Sequence, residues 1–194
     1  LHYAETHDNP RLAARSHVWA RMRTALCALL APWGAFGFAN GVEWLATEKI
    51  NVHHSPSLNW GAPVNQVAEI RRLTELLKHH PAFQAGARLE LVQEGAGNVV
   101  MMLRHHEASG ERLLVAANLD DDRATEAHWN PDRCGIDRQP LTDLLTGRRV
   151  TAAAAGLLQK VSLRPGEVLC LSAASPAASM AADLESPSGR LPET

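Results

Sequence analysis

Residues 1–39 read LHYAETHDNPRLAARSHVWARMRTALCALLAPWGAFGFA, and their pattern indicates how the N-terminal part of the chain folds. Leu1–Thr6 predicts a short strand, and the apolar spacing that follows predicts a helix from Pro10 to Leu30. A proline and a glycine end that helix, and AFGFA at residues 35–39 predicts a second, buried strand. A strand, a helix and a strand with short connections form a βαβ unit, which implies a parallel sheet.

The segment from Asn40 to Ala62 is rich in Asn, His, Ser, Pro and Trp, and it predicts an irregular loop. A loop of roughly 20 residues is more often functional than a plain connector. Pro63 is expected to open a second helix, which His79 and His80 close. Apolar residues at helical spacing form its buried face: Val67, Ile70, Leu73, Leu76 and Leu77.

The character of the chain changes near residue 84, where short strands separated by turn residues replace the helical spacing. Such a pattern predicts an antiparallel β domain. Four strands are predicted: Arg88–Val92, Val99–Arg104, Leu113–Asn118 and Val168–Ser172. We therefore expect an incomplete α/β part at 1–84, a β domain at 85–174, and a tail or linker rich in Ala, Ser and Pro at 175–194.

Composition and charge exclude several classes of protein. The 194 residues include 45% hydrophobic and 21% charged side chains, and the formal net charge is −2, so the chain is globular and has no surplus of positive charge for nucleic acid. The apolar stretch Ala25–Ala39 is interrupted by proline and glycine and is shorter than the ~20 residues of a membrane helix. Three dispersed cysteines predict no metal centre and slightly favour the cytoplasm.

One short motif carries the chemistry: Glu5-Thr6-His7-Asp8-Asn9-Pro10-Arg11, between a strand end and a helix start. Active sites of parallel α/β architectures are built at that edge. Asp8 can stabilise a developing positive charge, His7 can donate to a substrate hydroxyl, and Arg11 can pair with either acid and lower its pKa. The plainer interpretation stays open, in which Asp8 or Asn9 caps the helix and His7 is a surface residue.

This motif and the segments after it resemble the late region of the α-amylase family of retaining glycoside hydrolases and transglycosidases. LHYAETHDNPRLA resembles the seventh strand of that family's (β/α)8 barrel and the acid-x-His-Asp motif after it. GAFGFANGVEW resembles the eighth strand and its Gly-x-Glu, here Gly41-Val42-Glu43. The segments LNW, EIRRLTELLKHHPAF, ERLLVAANLDDD, DLLTGRRV and LRPGEVLCLS follow in the family's order.

The resemblance implies a fold: the last strand–helix units of a (β/α)8 barrel, followed by an antiparallel β-sandwich C-terminal domain. The family's nucleophile and general acid/base come from its fourth and fifth strands, which would lie upstream of Leu1. The chain would then be a fragment that is inactive alone. The substrate would be an α-glucan or oligosaccharide, with no cofactor, nucleic acid or membrane involved.

The resemblance also implies roles for individual residues. Asp8 would be the family's third acid, which stabilises the oxocarbenium-like transition state, and His7 would bind the sugar at the scissile bond. Arg11 and Glu43 would be supporting substrate-binding residues. The sequence departs from the family at Thr6, where Asn is common, and at residues 39–40, where the family often has an aromatic pair.

Alternatives of other classes are also open. The chain could be a non-catalytic β-sandwich module that binds glycan or protein, or a hydrolase that pairs Glu5 with Asp8. If the barrel is truncated, the apolar faces of AFGFA and of both helices would be exposed, and we expect the chain to associate through them.

Aromatic and histidine residues of the loop region have two interpretations each. Trp33, Trp44 and Trp60 could stack on sugar rings, although anchoring the loop is the commoner role. His53 and His54 could contact sugar, but adjacent histidines point in different directions and make a poor metal chelator.

Overall fold

The computed structural model describes residues 2–32, 35–51, 53, 58–137 and 140–173. The N-terminal part contains two short strands with two helices between them: β1 (His2–Tyr3), α1 (Leu12–Arg15), α2 (His17–Leu29) and β2 (Phe36–Gly37). The strands β1 and β2 pair in parallel, with His2 opposite Phe36 and Tyr3 opposite Gly37. The predicted βαβ unit is therefore confirmed, with strands shorter than the sequence pattern indicates.

The single helix predicted from Pro10 to Leu30 is wrong, because Ser16 interrupts it. Ser16 has an extended backbone (φ −165°, ψ 156°), and its Oγ accepts a hydrogen bond from the N–H of Trp19 at 2.9 Å. Serine is a favoured N-cap since its hydroxyl satisfies an N–H that the first helical turn leaves free. The hydroxyl also donates to Asp121 Oδ2 at 3.0 Å, which links the break to the β domain.

The second predicted helix begins four residues later than Pro63. It is α3 (Val67–His79), and a 3₁₀ turn at Pro81–Phe83 follows it. Asn65 sets the start, because its Oδ1 accepts the N–H of Val67 at 3.1 Å. The described residues between 40 and 62 contain turns and neither helix nor strand, as predicted.

The rest of the chain is rich in antiparallel strands, which confirms the predicted β domain in outline. Nine strands follow α3 within the described residues: β3 (Ala87–Leu91), β4 (Val99–His106), β5 (Glu111–Asn118), β6 (Thr125–Trp129), β7 (Leu141–Asp143), β8 (Arg149–Val150), β9 (Ala153–Ala155), β10 (Leu158–Leu163) and β11 (Val168–Ser172). They form a six-stranded sheet in the order β3-β4-β5-β11-β7-β8 and a three-stranded sheet in the order β6-β10-β9. A short helix α4 (Pro131–Cys134) connects β6 to β7.

Strand β5 lies at the centre of the molecule because both of its faces are buried. Leu114 and Ala116 belong to the apolar core between the two antiparallel sheets, together with Trp129 of β6. Leu113 and Val115 point the opposite way and pack with residues of α2 and α3. This is the alternation that strand geometry requires, since successive side chains face opposite sides of a sheet.

The helices are therefore covered by the six-stranded sheet, and the expectation that both of their apolar faces are exposed is wrong. Leu29 of α2 and Leu73 and Leu77 of α3 are buried in the same cluster as Leu113. The small β1–β2 sheet is covered less well, because Tyr3 is exposed to solvent and Phe36 is half-buried. Whether the chain associates stays a prediction.

Arg104 of β4 joins this sheet to the end of α2. The side chain is fully buried, and its Nη2 donates to the main-chain oxygen of Ala31. The guanidinium carbon lies 4.2 Å from the ring centroid of Phe83, which is a cation–π contact. Burial lowers the pKa of Arg104 to about 10, so the group stays charged at neutral pH. A positive charge at carbonyls that follow a helix is electrostatically favourable.

Several predictions concern residues outside the described part of the chain: the tail at 175–194, Trp33 and His54. Across the described residues, none of the helices has the length and apolar character that crossing a bilayer requires. Nor does that part of the chain bring three or more His, Cys, Asp or Glu side chains together in a cluster that could hold a metal ion.

Candidate functional site

His7 and Asp8 lie in the turn that follows β1, and both side chains face solvent. They are 59% and 80% exposed, and His7 Nε2 lies 3.3 Å from Asp8 Oδ1. The turn is held by Thr6, whose Oγ1 donates to Asn9 Oδ1 at 2.8 Å. The acidic and imidazole groups therefore lie after the end of a parallel strand and are accessible to solvent.

An open cavity of about 510 Å³ borders these two residues. Its other lining residues in the described part of the chain are Lys49, Ile50 and Asn51. These three residues were not predicted, because they carry no motif and lie some forty positions along the chain from Asp8. The only available signal is their place in the long loop, which the loop's length and composition mark as functional.

Glu5 and Arg11, on either side of the His7–Asp8 turn in the sequence, form a buried ion pair. Arg11 Nη1 lies 2.9 Å from Glu5 Oε1, and the two side chains are 1% and 2% exposed. The second carboxylate oxygen of Glu5 accepts the N–H of Leu12 at 2.7 Å. Burial raises the pKa of Glu5, while the hydrogen bond from Leu12 and the charge of Arg11 act in the opposite direction. Arg11 therefore pairs with Glu5 and not with Asp8. The prediction that Arg11 lowers the pKa of its partner acid is wrong in net effect, because burial of Glu5 raises its pKa by more.

This arrangement contradicts the alternative that pairs Glu5 with Asp8 in catalysis. Glu5 is buried and engaged by Arg11 and Leu12, whereas Asp8 faces the open cavity. A general acid and a nucleophile must both reach the same bond of the substrate. Glu5, whose side chain is 2% exposed, cannot reach a substrate bond in the open cavity.

Arg11 also fixes the course of the loop that borders the site. Its Nη2 donates to the main-chain oxygen of Asn40 at 2.9 Å, and its Nε donates to that of Ala46 at 3.4 Å. Gly41 permits this approach, because a Cβ there would lie 2.4 Å from Arg11 Nη2, and its φ is +93°. Only glycine combines such a backbone with the absence of a side chain. The structure thus places Arg11 in the support of the loop and away from solvent.

Glu43, the fourth candidate, lies in the turn that Arg11 holds. Its Oε2 accepts the N–H of Gly41 at 2.9 Å, and its main-chain oxygen accepts the N–H of Gln66 at 2.9 Å. Glu43 is not among the described residues that line the cavity beside His7 and Asp8. The structure therefore brings together two of the four candidates at the cavity and puts the other two in the supporting turn.

The same loop carries a pair of aromatic residues. The ring centroids of Trp44 and Trp60 are 5.3 Å apart with an interplanar angle of 43°. His53 lies beside the cavity wall, since its N–H donates to Asn51 Oδ1 at 2.9 Å. The residues that line the cavity therefore offer a carboxylate, an imidazole, an ammonium group and an amide, which is a set suited to a polar, hydroxyl-rich ligand.

Comparison with known proteins shows similarity of fold. No protein-family model matches the sequence, and no curated relative matches it either. Among solved structures, the chain is similar to a maltogenic α-amylase from Thermotoga neapolitana, with 17% sequence identity and a TM-score of 0.66 over 88% of this chain. It is also similar to an α-amylase from Lactobacillus plantarum, with 18% identity and a TM-score of 0.62, again over 88% of this chain.

The chain spans 40% of the length of the first of these enzymes and 37% of the second. Identities this low show the fold alone. They establish that residues on both sides of position 84 follow an arrangement that occurs in α-amylases, and they leave the activity to be argued from the site.

Proposed function

We propose that this chain is the C-terminal part of an α-glucan-active retaining glycoside hydrolase or glucanotransferase of the α-amylase family. In this proposal Asp8 is the acid that stabilises the transition state, and His7 binds the sugar whose bond is broken. The carrying observation is the cavity that both residues line at the carboxyl end of β1. The similarity of fold to two α-amylases supports the same assignment.

The chemistry follows from what the two side chains can do. A retaining enzyme passes through a transition state in which the sugar carries positive charge. The Asp8 carboxylate, free of a buried ion pair, can stabilise that charge, and the His7 imidazole can donate a hydrogen bond to a ring hydroxyl. In this proposal the nucleophile and the general acid/base belong to barrel strands that precede this chain.

Arg11 and Glu43 have indirect roles in this scheme. Arg11 supports the loop through Asn40 and Ala46, and Glu43 closes the turn at Gly41. Both therefore position the cavity wall, and a substitution there would act through the shape of the site. Their direct contact with substrate, which the resemblance implies, would require them to move from their present partners.

The deciding experiment uses the gene product that contains this chain, with α-glucan hydrolysis and transfer as readouts. We expect Asp8→Asn to reduce kcat by about 10²–10³-fold, the cost of removing one group that stabilises transition-state charge. Asp122→Asn changes an exposed aspartate at a distant turn and should leave kcat unchanged. Equal activity of Asp8→Asn and the unsubstituted protein would refute the proposal.

The 194-residue chain alone should show no turnover, because the covalent step needs a nucleophile. Turnover by the isolated chain at ordinary enzyme rates would contradict the assignment of the missing groups. If the native product has no upstream barrel strands, as intact mass and N-terminal sequencing would reveal, the function is better described as a non-catalytic module that binds glycan or protein.

A further inference from the structure

Two backbone outliers flank the tryptophan pair. Among the described residues, the non-glycine positions with positive φ are Leu45, at +54°, and Asn59, at +57°. Leu45 directly follows Trp44, and Asn59 directly precedes Trp60. A left-handed backbone is unfavourable for a bulky residue such as Leu45, whereas asparagine adopts it more readily. Strain of the kind found at Leu45 concentrates at functional sites.

The surrounding contacts hold both outliers in place. The N–H of Ala46 donates to the oxygen of Gly41 at 2.9 Å, which is the closure usually made with glycine at the position that Leu45 occupies. The Leu45 side chain is buried against Ala13 and Ala20. Asn59 Nδ2 donates to the main-chain oxygen of Trp44 at 2.8 Å, so the two turns with left-handed residues are tied to each other.

The result of this arrangement is an indole that faces solvent on a fixed support. Trp60 is 77% exposed, whereas Trp44 beneath it is half-buried. Tryptophan side chains are mostly buried in folded proteins, so the exposure of Trp60 is unusual. Val64, four residues along the chain, is exposed as well.

We propose that Trp60, braced by Trp44, is a binding platform for one pyranose ring of an α-glucan, separate from the Asp8 cavity. This inference rests on the proposed function for its ligand class. An indole presents a flat apolar face, and the C–H groups on one face of a pyranose form the complementary surface. The platform belongs to the loop that Arg11 holds and that also supplies Lys49–Asn51.

The backbone at Asn59 and its hydrogen bond to Trp44 determine where the exposed indole lies. Trp60 follows Asn59, whose left-handed backbone turns the chain outward, and the Asn59–Trp44 hydrogen bond fixes the separation of the two rings. A preorganised aromatic surface loses less conformational entropy when it binds a ligand. Contact with another protein is the competing use of an exposed tryptophan, and the experiment distinguishes it.

The test is a titration of the 194-residue chain with maltoheptaose, followed by indole N–H signals in a two-dimensional ¹H–¹⁵N spectrum. Five tryptophans give five such signals, and Trp60→Phe identifies that of Trp60 by its loss. We expect the signals of Trp60 and Trp44 to shift, while that of Trp129, fully buried in the β core, stays in place. Asp8→Asn should leave the Trp60 shift intact, which separates this test from that of the proposed function.

Affinity measurements on variants complete the test. Trp60→Leu keeps the apolar character without the aromatic face and should weaken maltoheptaose binding by about tenfold, whereas Trp60→Tyr should retain it within about threefold. Leu157→Ala removes another highly exposed apolar side chain and should have no effect. Unchanged affinity in Trp60→Leu, a Trp60 signal that does not move at saturation, or an equal response to cellohexaose would each overturn the proposal.

Discussion

Replacing Arg11 by Met should destabilise the fold strongly, because it leaves the Glu5 carboxylate buried without its cation. The two side chains are almost completely shielded from water, and their charged atoms are 2.9 Å apart. Methionine has a similar length and fills the same space without donors. The change therefore tests the charge and the hydrogen bonds of Arg11, with little loss of packing.

The magnitude follows from the contacts that are lost. Removing one partner of a buried ion pair costs about 3–5 kcal/mol of unfolding free energy. The main-chain oxygens of Asn40 and Ala46 also lose a donor, but such losses overlap and do not simply add. We therefore expect a loss of about 3–5 kcal/mol at neutral pH. A Glu5→Gln/Arg11→Met double variant should recover part of it, because no buried charge remains.

The loss should depend on pH. Burial raises the pKa of Glu5 above its ordinary 4.5, and Arg11 opposes that increase. A carboxyl with a raised folded-state pKa contributes most stability below pH 4.5, and the contribution is lost as the pH rises through the folded-state pKa. Without Arg11 the pKa of Glu5 rises further, so the difference between variant and wild type should be largest at neutral pH and shrink towards pH 4.5 and below.

Urea unfolding at several pH values, followed by circular dichroism, measures these differences. Arg88→Met is the matched control: Arg88 Nη1 and Glu107 Oε1 are 3.1 Å apart, but both side chains are largely exposed. Such a pair contributes little, and the control should stay within about 0.5 kcal/mol of wild type. A loss below about 1 kcal/mol for Arg11→Met, or one that does not change with pH, would refute the argument.

Three further predictions concern the helices and the free surface. Ser16→Ala should cost about 1 kcal/mol in urea unfolding through loss of the α2 cap, whereas Ser162→Ala, at an exposed strand position, should cost little. Burial, and to a smaller extent the charge of Arg104, lowers the pKa of His80 to about 4. The free energy of unfolding should therefore fall as the pH decreases from 6.5 towards 4, and His80→Gln should make this fall smaller. The isolated chain should associate in size-exclusion chromatography with light scattering; a monodisperse monomer would contradict this.

The fold was predictable where a single stretch of sequence determines it. The parallel β1–β2 pair follows from strand, helix and strand signals, and β11 occupies the residues predicted for it, Val168–Ser172. Strands β6 and β10 were not predicted, because each contains several polar residues and few apolar ones, so the alternation typical of a half-buried strand is weak. They pair with each other, Val161 opposite Ala127, and their burial comes from contact with the other sheet.

The candidate site was predictable only in its local part. His7 and Asp8 follow a strand end, and sequence neighbours suffice to place them. The far wall of the cavity, Lys49–Asn51, depends on how Arg11 holds a distant loop, and nothing local indicates it. The choice of Glu5 as the partner of Arg11 is likewise a matter of burial, which the sequence of the motif leaves open.

The β domain also supports the site, through contacts with the helices that hold the loop. Gln66, buried at the start of α3, donates from Nε2 to the main-chain oxygen of Val42 at 2.8 Å and to Thr24 Oγ1 of α2 at 3.3 Å. The loop of the site is thereby fixed to both helices, and the helices are fixed to the six-stranded sheet through Leu73, Leu113 and their neighbours. Cutting the chain near residue 84 would expose that shared apolar core to water. The six-stranded sheet therefore supports the helices that hold the loop, although it contributes none of the described residues that line the cavity.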